Sequence, residues 1–292
     1  MFENRVIQKT ILRIKDVSKS FGLNTVLKNI NGEIYDVRRP GQMQGQICAI
    51  LGPSGIGKTT LFEIISGVIK PDSGQVLVAN EKLIETEPDP EKYLMPNKAG
   101  TIGVVYQNYP LFEHLSVYDN LHIGAKQGGL KGKETDTRIL YYLDKFGLRE
   151  HARKYPVQLS GGQRQRVAIA QQLLCSTNIL LMDEPFSGLD PKAKNEVCNS
   201  IIELAASDEY ITIIVVTHDI ISAAAISDAI WLVGKNRDNK GELTGGASIQ
   251  HFYNMVELGL AWRPEIRQDK AFHEFVASLE DLFPVLAGDK IK

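Results

Sequence analysis

The sequence has no apolar run approaching the roughly 20 residues that a helix needs to cross a bilayer. Its first residues, MFENRVIQKT, hold no apolar core of secretory-signal length. The chain is therefore expected to act in the cytoplasm, and any work at a membrane requires a separate membrane-embedded partner. An excess of one charge is also missing: 33 Lys and Arg stand against 35 Asp and Glu, a formal net charge of −2. That balance gives no global pull toward nucleic acid or an anionic lipid surface, and no basic cluster marks a nucleic-acid site. Only three cysteines occur, Cys48, Cys175 and Cys198, with no CxxC pair, which suits reduced thiols used for packing. Internal repeats and low-complexity tracts are absent, and a single phosphate-binding motif excludes a tandem double motor.

What is present is a chain of 292 residues with 43% apolar content, enough for one large α/β domain or two small ones. From Thr10 to Ile34 apolar and polar residues alternate (ILRIKDV, then TVLKNINGEI) around the turn-prone Phe21-Gly22-Leu23-Asn24, the pattern of half-buried antiparallel strands. Short, nearly continuous apolar runs follow: ICAIL at 47–51, IGVVY at 102–106, ILLM at 179–182, ITIIVV at 211–216 and AIWLV at 229–233. Separated by helical stretches, such runs predict central parallel strands covered on both faces. Between the second and third lies helix-patterned text, including TRILYYLDKF and residues 163–174, expected as a helical subdomain. From Gly234 onward the text loosens: KNRDNKGELTGG reads as a loop and KAFHEFVASLEDLF as a short amphipathic helix, so 235–292 is expected to be a tail or small appendage.

Gly52-Pro53-Ser54-Gly55-Ile56-Gly57-Lys58-Thr59 fits GxxxxGK[ST] and stands between the strand ICAIL and the helical TTLFEIISG, the context the motif requires. Its glycines let the backbone fold closely enough for N–H groups to point at phosphate oxygens, with the positive end of the following helix behind them. In that arrangement Lys58 reaches the β- and γ-phosphates, Thr59 offers a hydroxyl to Mg²⁺, and Thr60 adds a contact toward the α-phosphate. The second element is ILLMDEP, an apolar strand that ends in two acids and places Asp183 and Glu184 at the carboxyl edge of the sheet. Asp183 is expected to orient Mg²⁺, and Glu184 to polarise the attacking water as general base.

P-loop NTPases do many jobs, so these two elements leave the function open. Leu159-Ser160-Gly161-Gly162-Gln163, continuing as RQRVAIAQQLL, resembles the signature motif of ABC ATPases. Gln107 in VVYQN stands at the family's Q-loop position, Ser187-Gly188-Leu189-Asp190 at the D-loop position and His218 in VVTHD at the switch-histidine position. Phe21 resembles the aromatic A-loop residue that stacks on adenine. The resemblance spans residues 10–234 and implies an α/β P-loop fold of ABC type: a mixed, mainly parallel core, an N-terminal antiparallel β-subdomain and a helical subdomain inserted at about 108–175. It implies ATP and Mg²⁺ as ligands, with Gln107 near the γ-phosphate and Mg²⁺, and His218 holding Glu184 and the water in line. Ser160, Gly161, Gly162 and Gln163 would cap the ATP of a second subunit, and Asp190 is likewise expected to bind nucleotide, so that two nucleotides are sandwiched in a homodimer or heterodimer.

Long coiled coils, which mark ABC proteins of DNA repair, are absent, so the resemblance implies transport. NYPLFEHLSVYDNL is similar to the corresponding segment of bacterial importers for amino acids and for nitrate-, sulfonate- or taurine-like solutes. A small polar solute, transmembrane permease subunits, a periplasmic or lipoprotein solute receptor and a peripheral place on the inner face of the membrane follow from that likeness. The alternatives are an exporter or lipid-transport subunit, or a soluble ABC-type switch acting on a protein partner. Leu111 and Phe112 are expected in the apolar groove that meets the permease. YDVRRPGQMQGQ and TEPDPEKYLMPNKAG are longer than is usual in the family and read as surface loops.

Overall fold

The structure, a computed structural model, describes residues 9–36, 44–80, 83–106, 109–175, 178–261 and 265–289. The alternation at the start builds β1 (Thr10–Phe21), and a turn with Gly22 at φ 59° returns the chain antiparallel as β2 (Asn24–Tyr35). β3 (Gln46–Leu51) is buried along its whole length and leads through the glycine-rich turn into α1 (Lys58–Ile65). β4 (Ser73–Ala79) pairs antiparallel with β1. The stretch expected as a surface loop forms α2 (Pro90–Tyr93), capped by Asp89, and the edge strand β5 (Leu94–Pro96) on β4. Its anchor is Tyr93, a buried ring whose hydroxyl accepts from the Thr10 N–H at 2.9 Å. Packed with Leu77, Ala79 and Leu94, this ring ties the stretch to the antiparallel arm.

β6 (Gly103–Val105) is followed by the helices α3 (Val117–Gln127), α4 (Lys133–Lys145) and α5 (Gly161–Cys175). Then come β7 (Ile179–Asp183), α6 (Pro191–Ala206), β8 (Thr212–Thr217), α7 (Ile220–Ile226) and β9 (Ala229–Arg237). Strand order across the sheet is β5-β4-β1-β2, then a strand from the C-terminal segment, then β9-β3-β8-β7-β6. The last five run parallel, as continuous apolar runs require. α3, α4, α5 and α6 cover one side around Leu121, Leu143, Val167 and Ile201, and α1 fills the space under the antiparallel arm with Leu61 and Phe62.

The C-terminal segment is more than a tail. Leu243–Asn254 is β10, antiparallel to β9 and joined to β2 by the parallel pair Ala247 with Leu27, so it welds the two halves of the sheet. α8 (Lys270–Ala287) lays Phe272, Val276 and Leu279 against Leu51, Ile230 and Leu232 of β3 and β9. Arg237 of β9 donates to the carbonyls of Val285 and Asp289 and pins the end of α8. Phe272→Ala should therefore destabilise the whole domain by about 3–5 kcal/mol, as deletion of a buried ring does. Chemical denaturation measures this; a folding free energy unchanged within error would show that α8 is dispensable to the core.

Candidate functional site

The central strands end together, and the site is built where they stop. Parallel pairing puts Leu51 beside Thr217 and Asp183 beside Val216, so the glycine-rich turn after β3, the acids after β7 and His218 after β8 emerge side by side. Gly57 caps α1 in the left-handed region at φ 108°, and a Cβ there would lie 2.8 Å from Val26 Cγ1. A Cβ on Gly52 would lie 2.6 Å from the Val233 carbonyl. Both positions need glycine for space, Gly57 for conformation as well. Ile56 is buried in the core and anchors the turn, while Ser54, Gly55 and Thr59 are exposed, with Pro53 and Thr60 half-buried.

Lys58 is buried, and its ammonium donates to the carbonyls of Gly52 at 2.9 Å and Pro53 at 3.1 Å. The Glu184 carboxylate lies 3.6 Å away. Burial pushes the Lys58 pKa down, opposed by the charges of Glu184 and Asp183. Glu184 itself sits at φ 44°, a left-handed conformation that costs a non-glycine residue about 1–3 kcal/mol and persists only where its surroundings enforce it. They do so here: its N–H donates to Val216 O at 2.8 Å, Thr217 Oγ1 donates to Oε2 at 3.0 Å, and His218 Nδ1 lies 2.9 Å from Oε1. Because a carboxylate only accepts, that imidazole nitrogen carries the proton.

Asp183 has the opposite environment. Its Oδ1 is buried with no hydrogen-bond partner among the described residues. Burial, then the neighbouring Glu184 charge, pushes its pKa above the ordinary carboxylate value, and Lys58 only partly offsets them. An orphaned buried carboxylate oxygen, with the Thr59 hydroxyl in the first turn of α1, is an oxygen-donor set that fits Mg²⁺. Among the described residues no group of three His, Cys, Asp or Glu side chains could hold a metal alone.

The remaining expected residues fall elsewhere. Ser160 and Gln163 form a reciprocal cap on α5: the Ser160 N–H donates to Gln163 Oε1 at 2.9 Å, and the Gln163 N–H donates to Ser160 Oγ at 3.3 Å. The other amide atom, Gln163 Nε2, lies 3.0 Å from His151 Nε2. Gly161 and Gly162 are exposed, with nothing within 4 Å of an added Cβ, so the helix end is open to the outside. Asp190 accepts from the N–H groups of Lys192 and Ala193 as the cap of α6; in this chain its carboxylate serves its own helix. Phe21 is 54% exposed, with the Lys19 ammonium 5.6 Å from its ring centre, so one of its faces already has a cation. Gln107 lies outside the described residues. Leu111 packs on the helical core while Phe112 is 45% exposed, which separates two residues expected to share one groove. Thr217, not among the expected site residues, orients Glu184; the signal for it in the sequence is its place directly before His218 at the end of an apolar strand.

Comparison with known proteins places these features in one family. The model of the ABC transporter family matches residues 42–187. The spermidine/putrescine import ATP-binding protein PotA of Thermotoga maritima is 39% identical over 232 residues, covering 79% of this chain and 56% of that protein. The Fe(3+) ions import ATP-binding protein FbpC of Escherichia coli K12 is 35% identical over 246 residues, covering 84% of this chain and 64% of that protein. The chain thus spans a little over half the length of these relatives. The solved structure of CbiO1 from Clostridium perfringens, part of the ABC transporter complex CbiONQ, superposes with a TM-score of 0.65 at 29% identity, covering 86% of this chain and 91% of that one.

The raised Asp183 pKa gives a test independent of any activity. A carboxyl raised in the fold disfavours folding while charged, so Asp183→Asn should raise Tm at pH 7. That gain should shrink as pH falls through the acidic range toward the ordinary value of 3.8, where the wild-type carboxyl is neutral too. Melting curves from pH 7 to pH 4 check this; a variant less stable than wild type at pH 7 would contradict the assigned desolvation.

Proposed function

We propose, from the premise that this chain belongs to the ABC transporter family, that it binds and hydrolyses ATP as the motor subunit of a membrane importer. The observation that carries the reading is the contact set at Glu184. A left-handed carboxylate is fixed by Thr217 and His218 beside a buried lysine on a phosphate-binding turn. In this reading the backbone N–H groups from Gly55 to Thr59 and the Lys58 ammonium hold the β- and γ-phosphates. Thr60 adds the α-phosphate contact, and Phe21 takes the adenine on its free face. Asp183, Thr59 and Gln107 would hold Mg²⁺, which neutralises phosphate charge when bound. Glu184 accepts a proton from water as its oxygen bonds to the γ-phosphorus and the bond from that phosphorus to the bridging oxygen breaks, releasing ADP and phosphate. His218 keeps the carboxylate aimed; it is not the base.

The open helix end at Gly161 and Gly162 is the second half of such a site. Gly161 and Gly162 face outward, and among the described residues no hydrogen bond joins residues 159–163 to the phosphate turn or to Glu184. A second copy, or a related subunit, related by a two-fold axis would lay this end over the γ-phosphate of its partner. ATP then acts as the bridge, and loss of the γ-phosphate opens the dimer.

No helix of the described residues is long and apolar enough to cross a membrane. In this reading solute passes through separate permease subunits, met at the inner face through Phe112 and its surroundings. PotA and FbpC are named for import of spermidine/putrescine and of Fe(3+) ions; for this chain the proposal is import of a small polar solute. The amino-acid and nitrate-, sulfonate- or taurine-like classes suggested by residues 108–121 gain no support from those names.

Glu184→Gln should keep ATP binding, lose turnover by at least about a hundredfold, and elute as a dimer in ATP and Mg²⁺, because the amide keeps the shape but is no base. Phosphate release near wild type, with monomer only, would remove Glu184 from this role. Lys58→Ala should weaken nucleotide binding itself, measured by titration with a fluorescent ATP analogue, since no neighbouring cation replaces the ammonium.

A further inference from the structure

The helix that carries the open glycine end and the loop that carries exposed Phe112 are tied together by buried amides that the proposed ATPase chemistry does not use. α3 and α5 approach at backbone distance: a Cβ on Gly124 would lie 2.4 Å from the Gln171 carbonyl, and one on Gly128 would lie 2.2 Å from the Leu174 carbonyl. Such an approach leaves no room for one helix to slide over the other. Across this seam Gln171, buried, donates from Nε2 to the Asn120 carbonyl at 2.9 Å.

Asn120 is fully buried and uses both ends of its carboxamide on the Phe112 loop. Its Oδ1 accepts from the Phe112 N–H at 2.9 Å; its Nδ2 faces the carbonyls of Phe112 and Leu115 at 3.2 Å and of Ser116 at 2.9 Å. The strap leading to Ser160 is tied to the same block, because Val117 and Tyr118 donate to the carbonyls of Lys154 and Ala152, each at 2.8 Å. A third link, Arg164 with Glu113, lies at the surface, where screening and side-chain entropy leave an ion pair worth little. The buried amides therefore carry the rigidity.

We propose that Asn120 and Gln171 are positioning residues that make the signature end of α5 and the Phe112 loop one rigid body, so that capture of a partner's ATP displaces the docking loop directly. The proposal rests on the composite-site reading for the ATP-driven displacement; the rigidity itself does not depend on it.

Hydrogen–deuterium exchange read by mass spectrometry on the full chain tests both parts. Without nucleotide, the hydrogen-bonded amides of this loop, Phe112 on Asn120 Oδ1 and Leu115 on the Phe112 carbonyl, should exchange as slowly as those of α3. In Asn120→Asp, which keeps size and an acceptor but loses the donors to three carbonyls, they should exchange roughly tenfold faster, with a fall in Tm because the carboxylate is buried against carbonyl oxygens. Should the buried aspartate impair folding, Gln171→Met removes only the donor across the seam, keeps the volume, and is expected to give the same local loosening. With ATP and Mg²⁺ in the Glu184→Gln background, 111–116 should change protection together with 159–171. The additional Asn120→Asp or Gln171→Met change should abolish the first response and leave the second. Residues 111–116 that keep their protection and their ATP response in both variants would overturn the proposal. If the Glu184→Gln parent forms no dimer with ATP, the composite-site reading fails, and the nucleotide-free arm still decides whether the amides hold the loop.

Discussion

The parallel register of β3, β8 and β7 sets the geometry on which everything else depends. Because Leu51 pairs with Thr217 and Asp183 with Val216, two strand ends deliver two carboxylates and a histidine to one edge, and the glycine-rich turn after the third brings Lys58 back to them. Rigid strands hold such groups more closely than loops can. A shift of one residue would point Glu184 to the other face and break its bonds to Thr217 and His218. The weld by β10 protects this register, since it lies between β2 and β9 and couples the antiparallel arm to the parallel core.

At that edge the fold accepts costs. Glu184 is held in a left-handed conformation, Asp183 keeps an unpartnered buried oxygen, and Lys58 is desolvated. Each is unfavourable for the isolated fold, and each is what a triphosphate with its cation would relieve: the orphan oxygen meets a cation and the lysine meets phosphate. Backbone strain, an orphaned carboxylate oxygen and a desolvated lysine lie together at this edge, the combination expected of a site built for a ligand.

Much of this was legible in the sequence. Period-two alternation gave the first hairpin, the five apolar runs gave the parallel strands, and spacing placed Lys58, Glu184 and His218 at strand ends. What the sequence hid had physical causes. β10 contains Gly245 and Gly246 and many polar residues, because its pairing is fixed by backbone bonds to β9 and not by an apolar face. α2 and β5 are too short for a periodic signal, and long-range contacts order them: the Thr10–Tyr93 bond, the pairing of β5 with β4 and the packing of Tyr93 and Leu94 on Leu77. Leu111 and Phe112 are adjacent and both apolar; which one faces the core depends on the turn held by Asn120, which no local pattern encodes.

The central claim is that each ATP is completed by two chains, the phosphate turn of one and the signature end of the other. Complementation measures it most directly. A Lys58→Ala chain and a Ser160→Arg chain, each inactive alone, are mixed and ATP turnover is followed. A mixed dimer contains one site with Lys58 from one chain and Ser160 from the other, so the account predicts that activity returns on mixing. A mixture as inactive as its components, although the two chains associate, or a Ser160→Arg chain that hydrolyses ATP unaided, would contradict it.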